Sequence, residues 1–372
     1  MTAAIRGRAR LGWLVPTLLP AVNLALALLL SAVMVLLIGE SPARALGLLV
    51  SGAFGNAEAI GYTLYYATNF IFTGLAVAVA FHGGLFNIGA EGQAYIGGLA
   101  VALLCLGAGG WPTPLVVPTA VAAAAIGGAA WAFVPAWLQA RRGSHIVITT
   151  IMFNFIASAV MTHLLVNVLI KPGQQSPETR EFAPSTWMPQ LHDLARTAGW
   201  EIGRSPVNLS LLLALAAGGL VWLYLWRTRW GYELRALGHN ETAAIYGGIQ
   251  PARVVIVAMS ISGALAGLVS LNEVMGVQHR LLLNFPGGAG YVGIAVALMG
   301  RNHPAGIVIA AVLFGGLYQG GSELSFDMPM LTRDMVVVIQ GLIILVCGAL
   351  EHALRAPLET LVGRAVGAGT RS

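Results

Sequence analysis

RTRWGYELRALGHNETAAIYGGIQPAR, residues 227–253, is a polar interval between two strongly apolar segments, and the whole chain is read outward from it. It is the longest candidate cytoplasmic loop in a chain that is 57% hydrophobic and 9% charged, with a mean hydropathy of +0.78. That composition leaves too little polar surface to cover a water-soluble body of 372 residues, so the chain is a polytopic membrane protein.

The flanking apolar runs, Leu209–Trp226 and Val254–Val274, each read as one span. Toward the amino end, spans are expected over Leu11–Ile38, Ile60–Phe81, Leu85–Leu106, Trp111–Gln139 and Ile146–Ile170. Toward the carboxyl end they are expected over Leu281–Met299, Ala305–Gln319 and Met335–Leu350. The first run is too long for a signal peptide and reads as a retained anchor, bent by Pro16 and Pro20. An apolar stretch between Glu40 and Asn56 is too short to cross and reads as lying along the interface. The expectation is an all-α, polytopic helical bundle of about ten spans, forming a single transmembrane domain over residues 1–372 with broken or re-entrant helices.

Charge sets the orientation. Of the twenty basic residues Lys171 is the only lysine. Alternating loops place Arg6, Arg8, Arg10, Arg141, Arg142, Arg227, Arg229, Arg235, Arg253, Arg301, Arg355, Arg364 and Arg371 on one side, which is then the cytoplasmic side. Both termini are therefore expected in the cytoplasm. Residues 171–207 carry five prolines, four acids and four basic residues with no sustained apolar period, and read as an extracytoplasmic loop with short ordered pieces near Trp187 and Trp200.

Several chemistries are excluded. A P-loop needs Lys followed by Ser or Thr after a Gly-rich turn, and Lys171 is followed by Pro172. Asp193, Asp327 and Asp334 are not adjacent, so no aspartate pair can hold a magnesium diphosphate. HExxH and GxSxG are absent, and Cys105 and Cys347 lie in apolar runs, which supports neither a disulfide framework nor a metal site. The chain does not read as an enzyme.

Polar residues at membrane depth are costly unless they face protein or water. In Phe86-Asn-Ile-Gly-Ala-Glu-Gly-Gln93, the acid Glu91 lies roughly 9 Å into its span if helical, and Asn87 and Glu91 would share a face at i, i+4. Two readings stand for Glu91: a pathway-lining or hinge element, or an interfacial acid that snorkels to water or caps a neighbouring helix. Gln93 belongs to the same stretch. Asn69 and Asn154 fit interhelical hydrogen bonds better than ligand contacts. Glu273 reads as part of a solvated outer rim. Asn284-Phe285-Pro-Gly-Gly288 interrupts a segment that must enter the bilayer, which suits a broken helix beside a pathway or an outer loop before a short span. Gly74-Leu-Ala-Val-Ala and Gly293-Ile-Ala-Val-Ala, each before a turn, hint at an internal repeat.

Within residues 227–253, Gly231–Gly238 reads as a short amphipathic piece and Asn240–Tyr246 as a helix capped by Asn240 and stopped by Gly247-Gly248. Such a piece suits insertion into a groove on another protein.

Taken in order, Gly84-Leu-Phe-Asn-Ile-Gly-Ala-Glu-Gly-Gln93, Gly238-His-Asn-Glu-Thr-Ala-Ala-Ile-Tyr-Gly-Gly-Ile249, Ser262-Gly-Ala-Leu-Ala-Gly267, Gly293-Ile-Ala-Val-Ala-Leu-Met-Gly-Arg-Asn-His-Pro304 and Ile339-Gln-Gly-Leu-Ile344 resemble the permease subunits of bacterial ABC importers for nucleosides and simple sugars. This group includes the ribose and branched-chain amino-acid permeases, and the Asn87–Gln93 stretch looks most like the nucleoside branch. The resemblance implies a multi-pass permease of the bacterial inner membrane that forms a nucleoside pathway. It also implies a second permease copy or paralogue, a separate cytoplasmic ATPase that carries ATP and Mg, and an extracytoplasmic substrate-binding lipoprotein. Membrane lipid is the remaining partner; no nucleic acid and no cofactor in this chain are implied.

By the same resemblance, the segment holding Gly238, Asn240, Ala243, Ala244, Tyr246 and Gly248 docks on the ATPase. The pathway candidates are Asn87, Glu91, Gln93, Asn154, Asn284 and Phe285. A simple-sugar permease is the near alternative. From a different class, the alternative is an ion-coupled secondary transporter using Glu91.

Overall fold

The computed structural model describes residues 22 and 25–346 except 172, 198, 200–202, 329, 332–334 and 343–344. The described residues are helical, with isolated bridges but no strands. The helices are α1 (Ala25–Leu37), α2 (Pro42–Phe54), α3 (Ala57–His82), α4 (Ala90–Gly107), α5 (Thr113–Arg142), α6 (Ile146–Asn167), α7 (Leu191–Thr197), α8 (Ser210–Arg227), α9 (Arg229–His239), α10 (Glu241–Tyr246), α11 (Pro251–Gly267), α12 (Ala289–Met299) and α13 (Pro304–Asp327). α11 continues into a π-helical segment, Leu271–Gln278.

Seven helices are long and apolar enough to cross a membrane: α3, α4, α5, α6, α8, the run Pro251–Gln278, and α13; α1, α2 and α12 are shorter apolar helices. The expected interfacial stretch after Glu40 is α2, and the expected span Ala305–Gln319 is longer, reaching Asp327. The expected last span is helical over 335–342 and otherwise lies mostly outside the described residues, as do both basic termini, Pro16, Pro20, Trp200 and Cys347.

Two compact units form, one from residues 1–52 with 320–372 and one from residues 53–319. In the first, α2 and the end of α13 touch backbone to backbone, a Cβ on Gly320 falling 2.1 Å from the Leu49 carbonyl oxygen. The second unit contains the features developed below. Ile126, Phe155, Leu220 and Ile309 are 66–73% exposed on four of its helices, which only a lipid solvent tolerates on this scale.

Small residues let the helices of this unit meet. Ala124 and Gly128 of α5 face Gly263 and Gly267 of α11, and a Cβ on Gly128 would lie 2.1 Å from the Gly263 carbonyl oxygen. Gly97 of α4 packs on Gly267 in the same way. With lipid as solvent, close van der Waals approach replaces hydrophobic burial as the force between helices. The two similar pentapeptides also meet: a Cβ on Gly293 would strike Thr73, and one on Gly74 would strike Val296 and Ile307.

Helix ends follow local signals. Asn56 caps α3 through its side chain to Ala59 N–H at 2.7 Å. α5 carries Arg141 and Arg142 in its last turn and stops at Gly143, which has φ of 68°. The stretch from Gly83 to Gly89 corrects one expectation. α4 starts only at Ala90, so Asn87 precedes the helix and does not share a helix face with Glu91. Gly84, at φ of 71°, turns the chain, and the Asn87 carboxamide oxygen accepts Gly89 N–H at 2.9 Å, holding the chain out of helix.

Of the expected outer loop, residues 178–188 lie on the chain after the π segment. Phe182 and Met188 are buried in a core with Val101, Cys105, Met161 and Met275. Thr179, Phe182 and Met188 donate backbone N–H to the carbonyls of Leu281, His279 and Met275 at 3.1, 2.8 and 3.1 Å. Arg280 pairs with Glu178 at 3.0 Å, and the Trp187 and His279 rings stack at 3.9 Å. The ordered pieces near Trp187 are a turn of 3-10 helix, Pro184–Thr186, and α7.

Candidate functional site

All six residues expected along a pathway converge on the first turns of α4 and the chain facing them. The Asn87 carboxamide bonds Gln93 Oε1 at 2.9 Å and Ser262 Oγ at 2.8 Å, and Ser262 passes the chain on to the Ala76 carbonyl at 2.6 Å. Asn154 accepts from Gly92 N–H at 2.9 Å and donates to the Ile88 carbonyl and to Tyr291 Oη. It therefore stitches α6 to the irregular entry of α4, the interhelical bond expected of a lone membrane Asn. Irregular backbone is tolerated at depth when polar side chains satisfy it, and Asn87 and Asn154 do so here.

Glu91 meets the second break. Residues 281–288 are irregular, with Asn284, Gly287 and Gly288 all at positive φ, and α12 begins at Ala289. At 1.5 Å per residue α12 spans only about 16 Å, roughly half the thickness of a bilayer core, and the N–H groups at its amino end need acceptors from outside the helix. Glu91 answers them: its two carboxylate oxygens accept Gly288 N–H and Gly290 N–H at 2.9 Å each, and its side chain is buried. The carboxylate also sits at the positive end of the α12 dipole. Of the two readings of Glu91, the geometry contains the helix-capping one. Tyr95 Oη donates to Asn284 Oδ1 at 2.7 Å, and the Phe285 ring packs edge-on against Tyr95 and over Gly98, where a Cβ would lie 2.4 Å from the ring.

A second buried polar cluster escaped sequence reasoning. Glu273 is not on a solvated rim but 7% exposed, accepting from Tyr65 Oη at 2.6 Å and from Asn69 Nδ2 at 2.5 Å. Asn272 donates to Asn69 Oδ1 and to the Tyr65 carbonyl, and accepts from Asn208 and Ser210. These bonds join α3, the start of α8 and the π segment. The available signal was the i, i+4 pair Tyr65 and Asn69 together with the adjacent Asn272-Glu273 inside an apolar run.

Residues 227–253, beyond the His82 end of α3, form α9 and α10. Asn240 caps α10 by accepting Ala243 N–H at 3.0 Å, and Gly248 closes it at φ of 81°. Ala244 is the buried face of this short helix, while Ala243, Ile245 and Tyr246 point outward, Tyr246 at 89% exposure. Gly238 seats α9 on the end of α3, where a Cβ would lie 2.2 Å from the His82 carbonyl oxygen. Beside the π segment, burial lowers the pKa of His279, Glu181 opposes that shift and Arg280 adds to it. Among the described residues no group of His, Cys, Asp and Glu is arranged to hold a metal ion.

Apolar helices joined by half-length and irregular segments that buried polar side chains hold are features of membrane transport proteins. Residues 59–347 match the family described as branched-chain amino acid transport system / permease component, and the chain belongs to that family as a multi-pass protein of the inner membrane. It is 34% identical over 341 residues to the guanosine ABC transporter permease protein NupP of Bacillus subtilis, covering 91% of this chain and 94% of that protein. It is 33% identical to the nucleoside ABC transporter permease protein NupB of Lactococcus lactis, over 83% of this chain and 85% of NupB. The glucose ABC transporter permease protein TsgB13 of Haloferax volcanii is 31% identical, over 88% and 85% of the respective chains. No solved structure matches the chain significantly.

Proposed function

We propose that this chain is the transmembrane permease subunit of an ATP-binding-cassette importer and forms, with an identical or paralogous permease, the passage for a nucleoside. The observation that carries the reading is α10, a helix capped by its own Asn240 and stopped by Gly247-Gly248, which presents Ala243 and Tyr246 outward beside α9. A rigid exposed knob of this kind suits a groove on a partner. In this reading Gly238, Asn240, Ala243, Ala244, Tyr246 and Gly248 form the ATPase-coupling segment, ATP and Mg bind the separate cytoplasmic ATPase, and an extracytoplasmic lipoprotein delivers the substrate. Ten spans with both termini cytoplasmic complete the topology, and Asn87, Glu91, Gln93, Asn154, Asn284 and Phe285 border the passage.

The guanosine and nucleoside permeases among the relatives support a nucleoside cargo. A simple sugar is the second reading, supported by the glucose permease. The test is uptake of labelled guanosine against labelled glucose into vesicles holding all subunits, with Asn240→Glu and Ala244→Glu as variants. ATP-dependent guanosine uptake that falls at least about tenfold in the variants is expected, the size of a lost cap plus a buried charge. Unchanged uptake and ATP hydrolysis in both variants would reject the docking segment. Uptake without the ATPase under an ion gradient would move the reading to a Glu91-coupled carrier.

A further inference from the structure

Beside α10, where α5 ends and α11 begins, an open groove of 630 Å³ is lined by Arg141, Ile245, Ile249, Arg253, Ile256 and Val257 among others. Its wall is aliphatic on one side and carries two guanidinium groups. Neither arginine has an ion-pair partner within 4.0 Å among the described residues, and the carboxylate in the adjoining cavity, Glu233, is paired with Arg229 at 2.9 Å. The groove therefore holds net positive charge over an apolar floor.

Its depth is marked independently. Arg142 lies over the Trp137 ring at 5.7 Å and Arg227 over the Trp222 ring at 5.4 Å, each tryptophan about one turn inward of its arginine. Trp230 lines the adjoining cavity with Arg253 and is 58% exposed. Tryptophan at helix ends with arginine just beyond it is the arrangement of a membrane–water interface. Arg141 and Arg253 thus stand at headgroup level, and Ile256 and Val257, one turn further along α11, stand where acyl chains begin.

We propose that this groove holds one anionic phospholipid, its phosphate between Arg141 and Arg253 and an acyl chain along Ile249, Ile256 and Val257. The site rests on the reading above that this end of the protein faces the cytoplasm, where basic pockets between helices take acidic headgroups. A lipid seated there touches Ile245 of α10 as well as α5 and α11, so it braces the coupling segment against the membrane body.

The experiment uses the full-length permease alone in mild detergent, without the ATPase or any substrate, so that its outcome is independent of transport. Native mass spectrometry follows retention of phosphatidylglycerol against phosphatidylcholine during delipidation. The wild-type protein is expected to keep one phosphatidylglycerol and no phosphatidylcholine. R141Q and R253Q are each expected to weaken retention roughly fivefold and the double variant about thirtyfold, while R141K/R253K stays within a few fold, because the attraction is one of charge. The single variants keep the test decisive if the double variant does not fold. Equal retention of both lipids, or phosphatidylglycerol retention unchanged in the Gln variants, overturns the proposal. In a separate pull-down with the ATPase added, loss of ATPase binding by those variants while phosphatidylglycerol retention is unchanged assigns the groove to the ATPase and overturns the proposal as well.

Discussion

Glu91→Ala removes an acceptor that the amino end of α12 cannot replace. The two carboxylate oxygens take the N–H groups of Gly288 and Gly290 at 2.9 Å each, and the side chain is only 7% exposed, so the two N–H groups lose acceptors in a buried position. Each of the two buried N–H groups left without a partner costs about 1–3 kcal/mol, and the charge at the helix dipole adds up to about 1 kcal/mol, for a total of about 2–7 kcal/mol. The local backbone cannot relax toward another acceptor, because a Cβ on Gly290 would already lie 2.3 Å from Glu91 N. Glu91→Gln retains one acceptor oxygen and turns an amide toward the second N–H, so about half of that loss is expected. The assay is hydrogen exchange of the residues 288–292 amides in the purified protein, together with thermal unfolding. The expected order of stability is wild type, then Gln, then Ala. An Ala variant within about 0.5 kcal/mol of wild type, with exchange at Gly288 and Gly290 unchanged, would refute the capping argument.

Gly263→Val places a branched side chain where even a Cβ lies 2.4 Å from the Gly128 carbonyl oxygen; a loss of about 3 kcal/mol, or of the folded protein altogether, is expected in detergent unfolding, and a neutral result would disprove backbone contact between α5 and α11. Because burial and Arg280 hold His279 below its ordinary pKa, charging it costs folded-state energy: the docking of the outer loop is complete above about pH 6.5 and weakens as pH falls toward the depressed value. Hydrogen exchange at the Phe182 and Met188 amides between pH 7.5 and 5 should therefore quicken on acidification beyond the intrinsic trend, and should lose that excess in His279→Gln; an excess that survives the substitution assigns it to another group.

The parts of the site that were legible in the chain are those whose cause is local. Asn240 before Glu241 and the pair Gly247-Gly248 mark α10 by short-range hydrogen bonding and backbone freedom, and the folded structure forms that helix with those ends. Asn284 to Gly288 likewise announces a break through its own Pro and Gly content. Asn87 was illegible for the opposite reason. Ile88 to Gln93 carries no breaker stronger than glycine, and the entry is held open by Asn154 and Ser262, which are distant in the chain. Glu273 was misplaced because its burial is created by Tyr65 and Asn69 of α3, and no periodicity within its own span records them. The π segment around it has no sequence signal of its own; within it Asn272 and Glu273 both bond Tyr65 and Asn69.

These elements meet through close glycine contacts as well as through side-chain packing, which bears on how motion passes through them. Gly238 brings α9 against the carbonyl end of α3, Gly293 brings α12 against Thr73 of α3, and Gly290 brings the start of α12 against Glu91 of α4. A side chain between two helices can change rotamer and absorb a displacement; a glycine contact has no such slack, and interiors packed this closely shift as discrete units. A push on α9 is therefore delivered to α3 first and to α12 next. The places free to yield are the two irregular stretches, 83–89 and 281–288, where Gly84, Gly287 and Gly288 occupy backbone angles that no bulkier side chain favours. Any rearrangement of those two stretches has to break the bonds that Asn87 and Glu91 make there, so the polar residues that satisfy the breaks contribute directly to its cost.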